Sequence, residues 1–151
     1  MSLMTNENSE IGWIVGVGAS AGGLEALSLF VSNLPETFSG SVIVAQHLAP
    51  HAKSMMTDLL QRHTRFPVIA AANGAKIQPR SIYIVPPNYD IGIIKGTISL
   101  SIAGEETRPK PSVNGFFESL ARAYGKRSVG IILSGIALFL SDPEKYIQSV
   151  K

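Results

Sequence analysis

Short apolar runs alternate along this chain with segments in which apolar residues recur every three or four positions. The apolar runs predict buried strands over 11–17, 41–46, 68–71, 81–85 and 128–133. The wider spacing predicts helices over about 22–33, 53–64 and 112–124. Two further runs, 91–94 and 98–102, flank Lys95-Gly96-Thr97 and predict a hairpin. This order predicts an α/β fold with a doubly wound, mostly parallel sheet and an antiparallel hairpin insertion.

A G-x-S-x-G arrangement, Gly18-Ala19-Ser20-Ala21-Gly22, joins the first predicted strand to the first predicted helix. A serine on such a tight turn projects its hydroxyl from the sheet edge, where nearby backbone N–H groups can stabilise an oxyanion. The motif therefore predicts that Ser20 is a nucleophile.

A serine hydroxyl needs a base to remove its proton, and His47 is the natural candidate. It follows directly on the strand predicted over 41–46. Because parallel strands end at the same edge of a sheet, Ser20 and His47 are expected to lie close together. The alternative is that His47 only caps the strand or binds nearby backbone.

Composition narrows the class of protein. The 151 residues are 45% hydrophobic, carry a formal net charge of +2 and include no cysteine. One domain is expected, without disulfides and without the basic surface typical of nucleic-acid binding. No apolar run is long enough to cross a bilayer and no signal peptide is recognisable, so a cytoplasmic location is expected. Residues 1–10 are polar and are predicted to be a disordered leader.

A dinucleotide site is the main competing interpretation. Gly16, Gly18 and Ala21 follow a strand in the order of a Rossmann fingerprint. That site requires an acidic residue at the end of the second strand, whereas this chain has Gln46 and His47 there. We therefore predict no bound cofactor.

A metal site is also disfavoured. His47 and His51 are four residues apart, but Pro50 between them argues against a helix, and no third ligand is evident. His63 is predicted to lie on the apolar face of its helix, in the core or at its boundary.

Five segments of the chain resemble the catalytic domain of chemotaxis protein-glutamate methylesterases. They occur in the family order and cover residues 11–135, which leaves 136–151 as a divergent tail. The segments are Val15-Gly-Val-Gly-Ala-Ser-Ala-Gly-Gly23, Val42-Ile-Val-Ala-Gln-His-Leu48, Ile82-Tyr-Ile-Val-Pro-Pro-Asn88, Pro111-Ser-Val-Asn-Gly-Phe-Phe117 and Gly130-Ile-Ile-Leu-Ser-Gly135.

The resemblance implies hydrolysis of glutamyl methyl esters on chemoreceptor helices, often together with deamidation of receptor glutamines. Carried over by position, Ser20 is the nucleophile, His47 the base, and the backbone N–H of Ala21 an oxyanion donor. Ala21 and the segment Gln46-His47-Leu48-Ala49-Pro50 are most similar to the esterase module of hybrid receptors. In those proteins, methylesterase, methyltransferase and sensory modules share one chain. No receiver domain precedes residue 11, so phosphorylation control is expected to be absent or to come from elsewhere.

The chain departs from the family pattern after Gly135. Phe139 stands where the family has the aspartate that orients the histidine. Asp142 is the nearest acid and a candidate substitute for it, but Asp142-Pro143-Glu144 is better explained as the N-cap and first residues of a short helix. We therefore expect a methylesterase with impaired catalysis; the alternative is a module of the same fold that docks on receptors without turnover. Asp90 replaces a histidine common in the family, and the sequence suggests no mechanism for it.

Overall fold

A computed structural model describes residues 11–20, 22–46, 55–102 and 112–133. Its central feature is a parallel sheet of five strands in the order β3-β4-β2-β1-β7. The strands are β1 (Ile14–Ala19), β2 (Ser41–Gln46), β3 (Val68–Ala70), β4 (Ile82–Ile84) and β7 (Ser128–Leu133). Every residue of β1 and β2 is buried, which explains their nearly continuous apolar sequences.

The predicted hairpin forms a separate antiparallel sheet of two strands, β5 (Tyr89–Ile94) and β6 (Thr97–Ile102). Its turn consists of Lys95 and Gly96, with φ of 49° and 75°. Positive φ at both central residues is typical of the tight turns that match strand twist. The α/β class and the antiparallel hairpin are thus confirmed.

Three helices complete the described fold: α1 (Leu24–Ser32), α2 (Met56–Gln61) and α3 (Val113–Tyr124), the last followed by a 3-10 turn over Gly125–Arg127. One core cluster contains residues of α1, α2 and one face of the sheet. The other contains residues of α3, the hairpin and the opposite face. Apolar layers on both faces confirm the doubly wound arrangement.

The first strand lies further along the chain than the sequence predicts. The prediction was 11–17, whereas β1 runs from Ile14 to Ala19. Gly18 and Ala19 continue the ladder because β2 and β7 pair with them on both sides. The turn after the strand consequently begins at Ser20.

The prediction for His63 is wrong. Helix α2 ends at Gln61, and the His63 side chain is exposed. The Gln61 amide ends the helix by donating to the carbonyl of Phe66 (2.9 Å) and accepting from the backbone N–H of Val68 (2.9 Å). These bonds turn the chain into β3 and leave His63 in the exposed loop. The predicted start of this helix, Lys53 and Ser54, lies outside the described residues.

Candidate active site

The carboxyl ends of β1, β2 and β7 meet at one edge of the sheet. Ala19 is paired with Gln46 on one side and with Leu133 on the other, and each of the three is the last residue of its strand. Ser20 therefore leaves the sheet between its two neighbouring strands. In open parallel sheets, this edge is where ligands bind and reactions occur.

Ser20 is exposed, although the strand that delivers it is buried throughout. Its carbonyl oxygen accepts hydrogen bonds from the backbone N–H of Gly23 (2.8 Å) and from Nε2 of Gln46 (3.0 Å). Its own N–H donates a longer bond of 3.4 Å to the carbonyl of Leu133. The main chain of the serine is thus held from β2, from β7 and from the turn ahead of α1.

Close packing explains three glycines in and just after β1. A Cβ on Gly16 would meet the side chain of Leu120, and one on Gly18 would lie 2.7 Å from Val113 Cγ1. A Cβ on Gly23 would lie 3.0 Å from the carbonyl oxygen of Ser20. Gly16 and Gly18, which also suggested a dinucleotide fingerprint, therefore allow α3 to lie directly on β1.

The start of α3 lies at the same edge of the sheet, because this helix leads back into β7, which is parallel to β1. Ser112 caps the helix by accepting from the backbone N–H of Gly115 (3.3 Å), as the sequence predicts. Asp90 Oδ1, at the start of the hairpin, accepts from the backbone N–H of Ser112 (2.7 Å). A carboxylate at a helix N-terminus is also favoured by the helix dipole.

A cavity of ≈ 810 Å³ lies between the hairpin and α3. Asp90 and Ser112 line one end of it, and Lys95 and Arg122 also contribute to its wall. Ser20 is not among the residues that line this cavity. The exposed serine, rather than this cavity, therefore marks the candidate reaction centre.

The structure locates only part of the predicted site. Ser20 directly follows the last residue of β1, and β2 ends at Gln46, the residue before His47. His47, Ala21, Phe139 and Asp142 lie outside the described residues.

Sequence reasoning did not predict the roles of two residues that the structure brings to this edge. Gln46 is 2% exposed and binds the serine carbonyl, and Asp90 binds the start of α3. A polar residue directly after the apolar run 42–45 was the one signal that could have indicated Gln46.

Among the described residues, no group of three or more His, Cys, Asp or Glu side chains could hold a metal ion. Within the same ranges, none of the helices has the length and apolar character needed to span a bilayer.

A buried parallel sheet, with an exposed serine at the strand-to-helix turn after β1, defines a protein of the α/β class. Residues 15–138 match the family model described as CheB methylesterase. The chain belongs to this family.

Similar proteins agree with this assignment. The chain is 34% identical over 124 residues to a "Protein-glutamate methylesterase/protein-glutamine glutaminase 1" of Syntrophus aciditrophicus, an alignment that covers 82% of this chain and 35% of that protein. It is 31% identical over 131 residues to a protein of the same description, numbered 2, from Methanosarcina acetivorans, covering 82% and 37%. The chain thus spans little more than a third of the length of these two curated relatives.

A solved structure is also similar. The crystal structure of the Thermotoga maritima CheB methylesterase catalytic domain matches with a TM-score of 0.70 and 25% sequence identity, over 80% of this chain and 66% of that one. The match confirms the methylesterase catalytic-domain type of fold.

Proposed function

We propose that the chain hydrolyses glutamyl methyl esters on chemoreceptors, with Ser20 as nucleophile and His47 as general base. The observation that carries the proposal is the pairing of Ala19 with Gln46 at the ends of neighbouring parallel strands. The residue that follows β1 in the sequence is Ser20, and the residue that follows β2 is His47. The relatives are named both protein-glutamate methylesterase and protein-glutamine glutaminase. The first name supports the proposed ester hydrolysis, and the second supports deamidation of glutamine as a further reaction.

In the proposed reaction, Ser20 Oγ attacks the ester carbonyl while His47 takes the hydroxyl proton. The backbone N–H of Ala21 donates to the developing oxyanion. Collapse of the tetrahedral intermediate breaks the bond to the methoxy group, and His47 returns its proton so that methanol leaves. Water, activated by His47, then cleaves the acyl-enzyme to give the glutamate and free Ser20. With a glutamine substrate, ammonia leaves in place of methanol.

The proposed rate is low because Phe139 occupies the position of the orienting aspartate. Loss of such an acid reduces kcat of a serine protease by about 10⁴. Asp142, three positions later, is the proposed substitute. An ester needs less assistance to its leaving group than an amide does, so weak esterase activity is expected to survive.

The proposed partners are methylated chemoreceptor helices, and nucleic acid is not among them. A cytoplasmic location is part of the same proposal, and the cysteine-free sequence is compatible with a reducing compartment. Fusion to methyltransferase and sensory modules is proposed from the similarity to hybrid receptors. Phe139 also favours a second candidate function, receptor docking by the same fold without turnover.

The test is methanol release from a methyl-esterified chemoreceptor. Ser20→Ala and His47→Gln are each expected to reduce release to background. Ser32→Ala and His63→Gln are matched controls, because both residues are exposed and lie outside this edge of the sheet. Release that persists in Ser20→Ala would overturn the proposal, and binding of the receptor without Ser20-dependent release would establish the docking alternative.

A further inference from the structure

We infer that Gln46 is a positioning residue for the nucleophile, acting through the backbone of Ser20. The inference rests on the proposed role of Ser20. Gln46 is the last residue of β2 and is 98% buried, since its exposed fraction is 2%. Its Nε2 donates to the Ser20 carbonyl at 3.0 Å, across the sheet and 26 residues away in sequence.

Hydrogen-bond chemistry determines which way the amide of Gln46 faces. The Ser20 carbonyl can only accept, so the NH₂ end must point toward it. Oε1 consequently points elsewhere, and it is buried without a hydrogen-bond partner among the described residues. Turning the amide over would place two acceptor oxygens against each other.

Because Oε1 has no hydrogen-bond partner in the described part of the chain, glutamine is an unfavourable residue for stability at the end of this strand. A buried acceptor without a partner destabilises the fold, and the three preceding residues of β2 (Ile43, Val44 and Ala45) are apolar and buried. An apolar side chain at position 46 would avoid this cost but could not bind the serine carbonyl. The donated hydrogen bond is therefore the property that a glutamine supplies here.

The hydrogen bond from Gln46 helps to fix the orientation of the peptide group that follows Ser20. Gln46 donates to the Ser20 carbonyl alongside the backbone N–H of Gly23, which lies at 2.8 Å. Because a peptide unit is planar, holding this carbonyl holds the whole unit between Ser20 and the next residue. That unit includes the N–H proposed above as an oxyanion donor, so loss of the Gln46 bond should weaken transition-state binding more than substrate binding.

The variants Gln46→Glu and Gln46→Met test this role. Both remove the amide donor at neutral pH, and Met keeps the length of the side chain without polar atoms. Gln61→Glu and Gln61→Met are matched controls, since the Gln61 amide also donates to a main-chain carbonyl (Phe66, 2.9 Å) but lies at the end of α2. The measurements are kcat and KM for methanol release and the rate at which a fluorophosphonate labels Ser20.

We expect both Gln46 variants to lower kcat and the labelling rate by about 10–100-fold, with KM within about twofold of wild type. A protonated glutamic acid regains one donor, so the activity of Gln46→Glu relative to Gln46→Met should rise as pH falls. The Gln61 variants should stay within about twofold of wild type in both measurements. Amide hydrogen exchange at Gly23 should be faster in Gln46→Met than in wild type. This measurement reports on the order of the turn and does not depend on catalytic activity.

Two results would overturn the inference, and they distinguish failure of the Gln46 role from failure of the proposed function. Normal labelling and kcat in folded Gln46 variants would remove the role of Gln46 and leave Ser20 as nucleophile. Labelling of wild type no faster than that of Ser20→Ala would remove the proposed function itself, and this inference with it.

Discussion

Asp90 Oδ1 accepts a hydrogen bond of 2.7 Å from the backbone N–H of Ser112, which connects the start of the hairpin to the start of α3. The two residues are 22 positions apart in sequence. Ser112 in turn caps α3, whose first residue, Val113, packs against Gly18 in β1. The carboxylate therefore helps to place α3 beside the strand that carries Ser20.

We predict that Asp90→Ala lowers the free energy of unfolding by about 1–2 kcal/mol, because it removes both an acceptor for Ser112 and a favourable charge at the helix start. Asp90→Asn should cost less, about 0.5 kcal/mol, since it keeps the acceptor and loses only the charge. Urea denaturation of both variants measures the difference. Equal losses in the two variants would contradict the assigned hydrogen bond.

Gly40, directly before β2, tolerates no side chain. A Cβ there would meet the carbonyl oxygen of Trp13, and main chain cannot move aside as a flexible side chain can. Gly40→Ala should therefore lower the free energy of unfolding by about 2–3 kcal/mol. Gly92→Ala is the control, because its Cβ would lie 3.4 Å from Ser119 Oγ, an ordinary contact. Thermal unfolding that shifts equally in both variants would refute this explanation.

Tyr83 and Tyr124 differ in whether the phenol hydroxyl has a hydrogen-bond partner among the described residues. Tyr83 Oη accepts from the backbone N–H of Gln78 at 2.8 Å, whereas the buried Tyr124 Oη has no partner among the described residues. Tyr83→Phe should cost about 1 kcal/mol, and Tyr124→Phe should be neutral or slightly stabilising. Chemical denaturation at pH 7 distinguishes them, and a larger loss in Tyr124→Phe would contradict the assignment.

Tyr124 also predicts how stability depends on alkaline pH. Burial raises the pKa of its phenol above 10.0, against an opposing effect of nearby Arg127. The folded state thus holds this proton more tightly than the unfolded state. The resulting stability is complete below pH 10 and is lost as pH rises through the folded pKa. The free energy of unfolding of wild type should consequently fall more steeply above pH 10 than that of Tyr124→Phe, and parallel curves would exclude the effect.

Phe139 provides the test of impaired catalysis. If an orienting carboxylate is what the chain lacks, Phe139→Asp should raise kcat for methanol release by about tenfold or more. Phe139→Asn is the matched control, since it is similar in shape to aspartate but uncharged. A rise in both variants, or in neither, would show that the missing charge does not limit the rate.

The sequence alone determined most of the architecture. Continuous apolar runs indicated buried parallel strands, and β2 and β7 have the predicted bounds. The turn at Lys95-Gly96 and the cap at Ser112 were equally predictable, because turns and caps depend on a few neighbouring residues. The family resemblance, carried by five motifs in order, is confirmed by the family match over residues 15–138.

Tertiary structure decided what depends on distant neighbours. Pairing with two strands extends β1 to Ala19, the Gln61 amide ends α2 and leaves His63 exposed, and Gln46 binds a carbonyl 26 residues away. Hydrophobic periodicity reports which face of an element is buried, but not which polar group it meets there. A side-chain amide binds whichever backbone group the folded chain brings within reach, so the roles of Gln46 and Asp90 became visible only once the strands and helices were packed together.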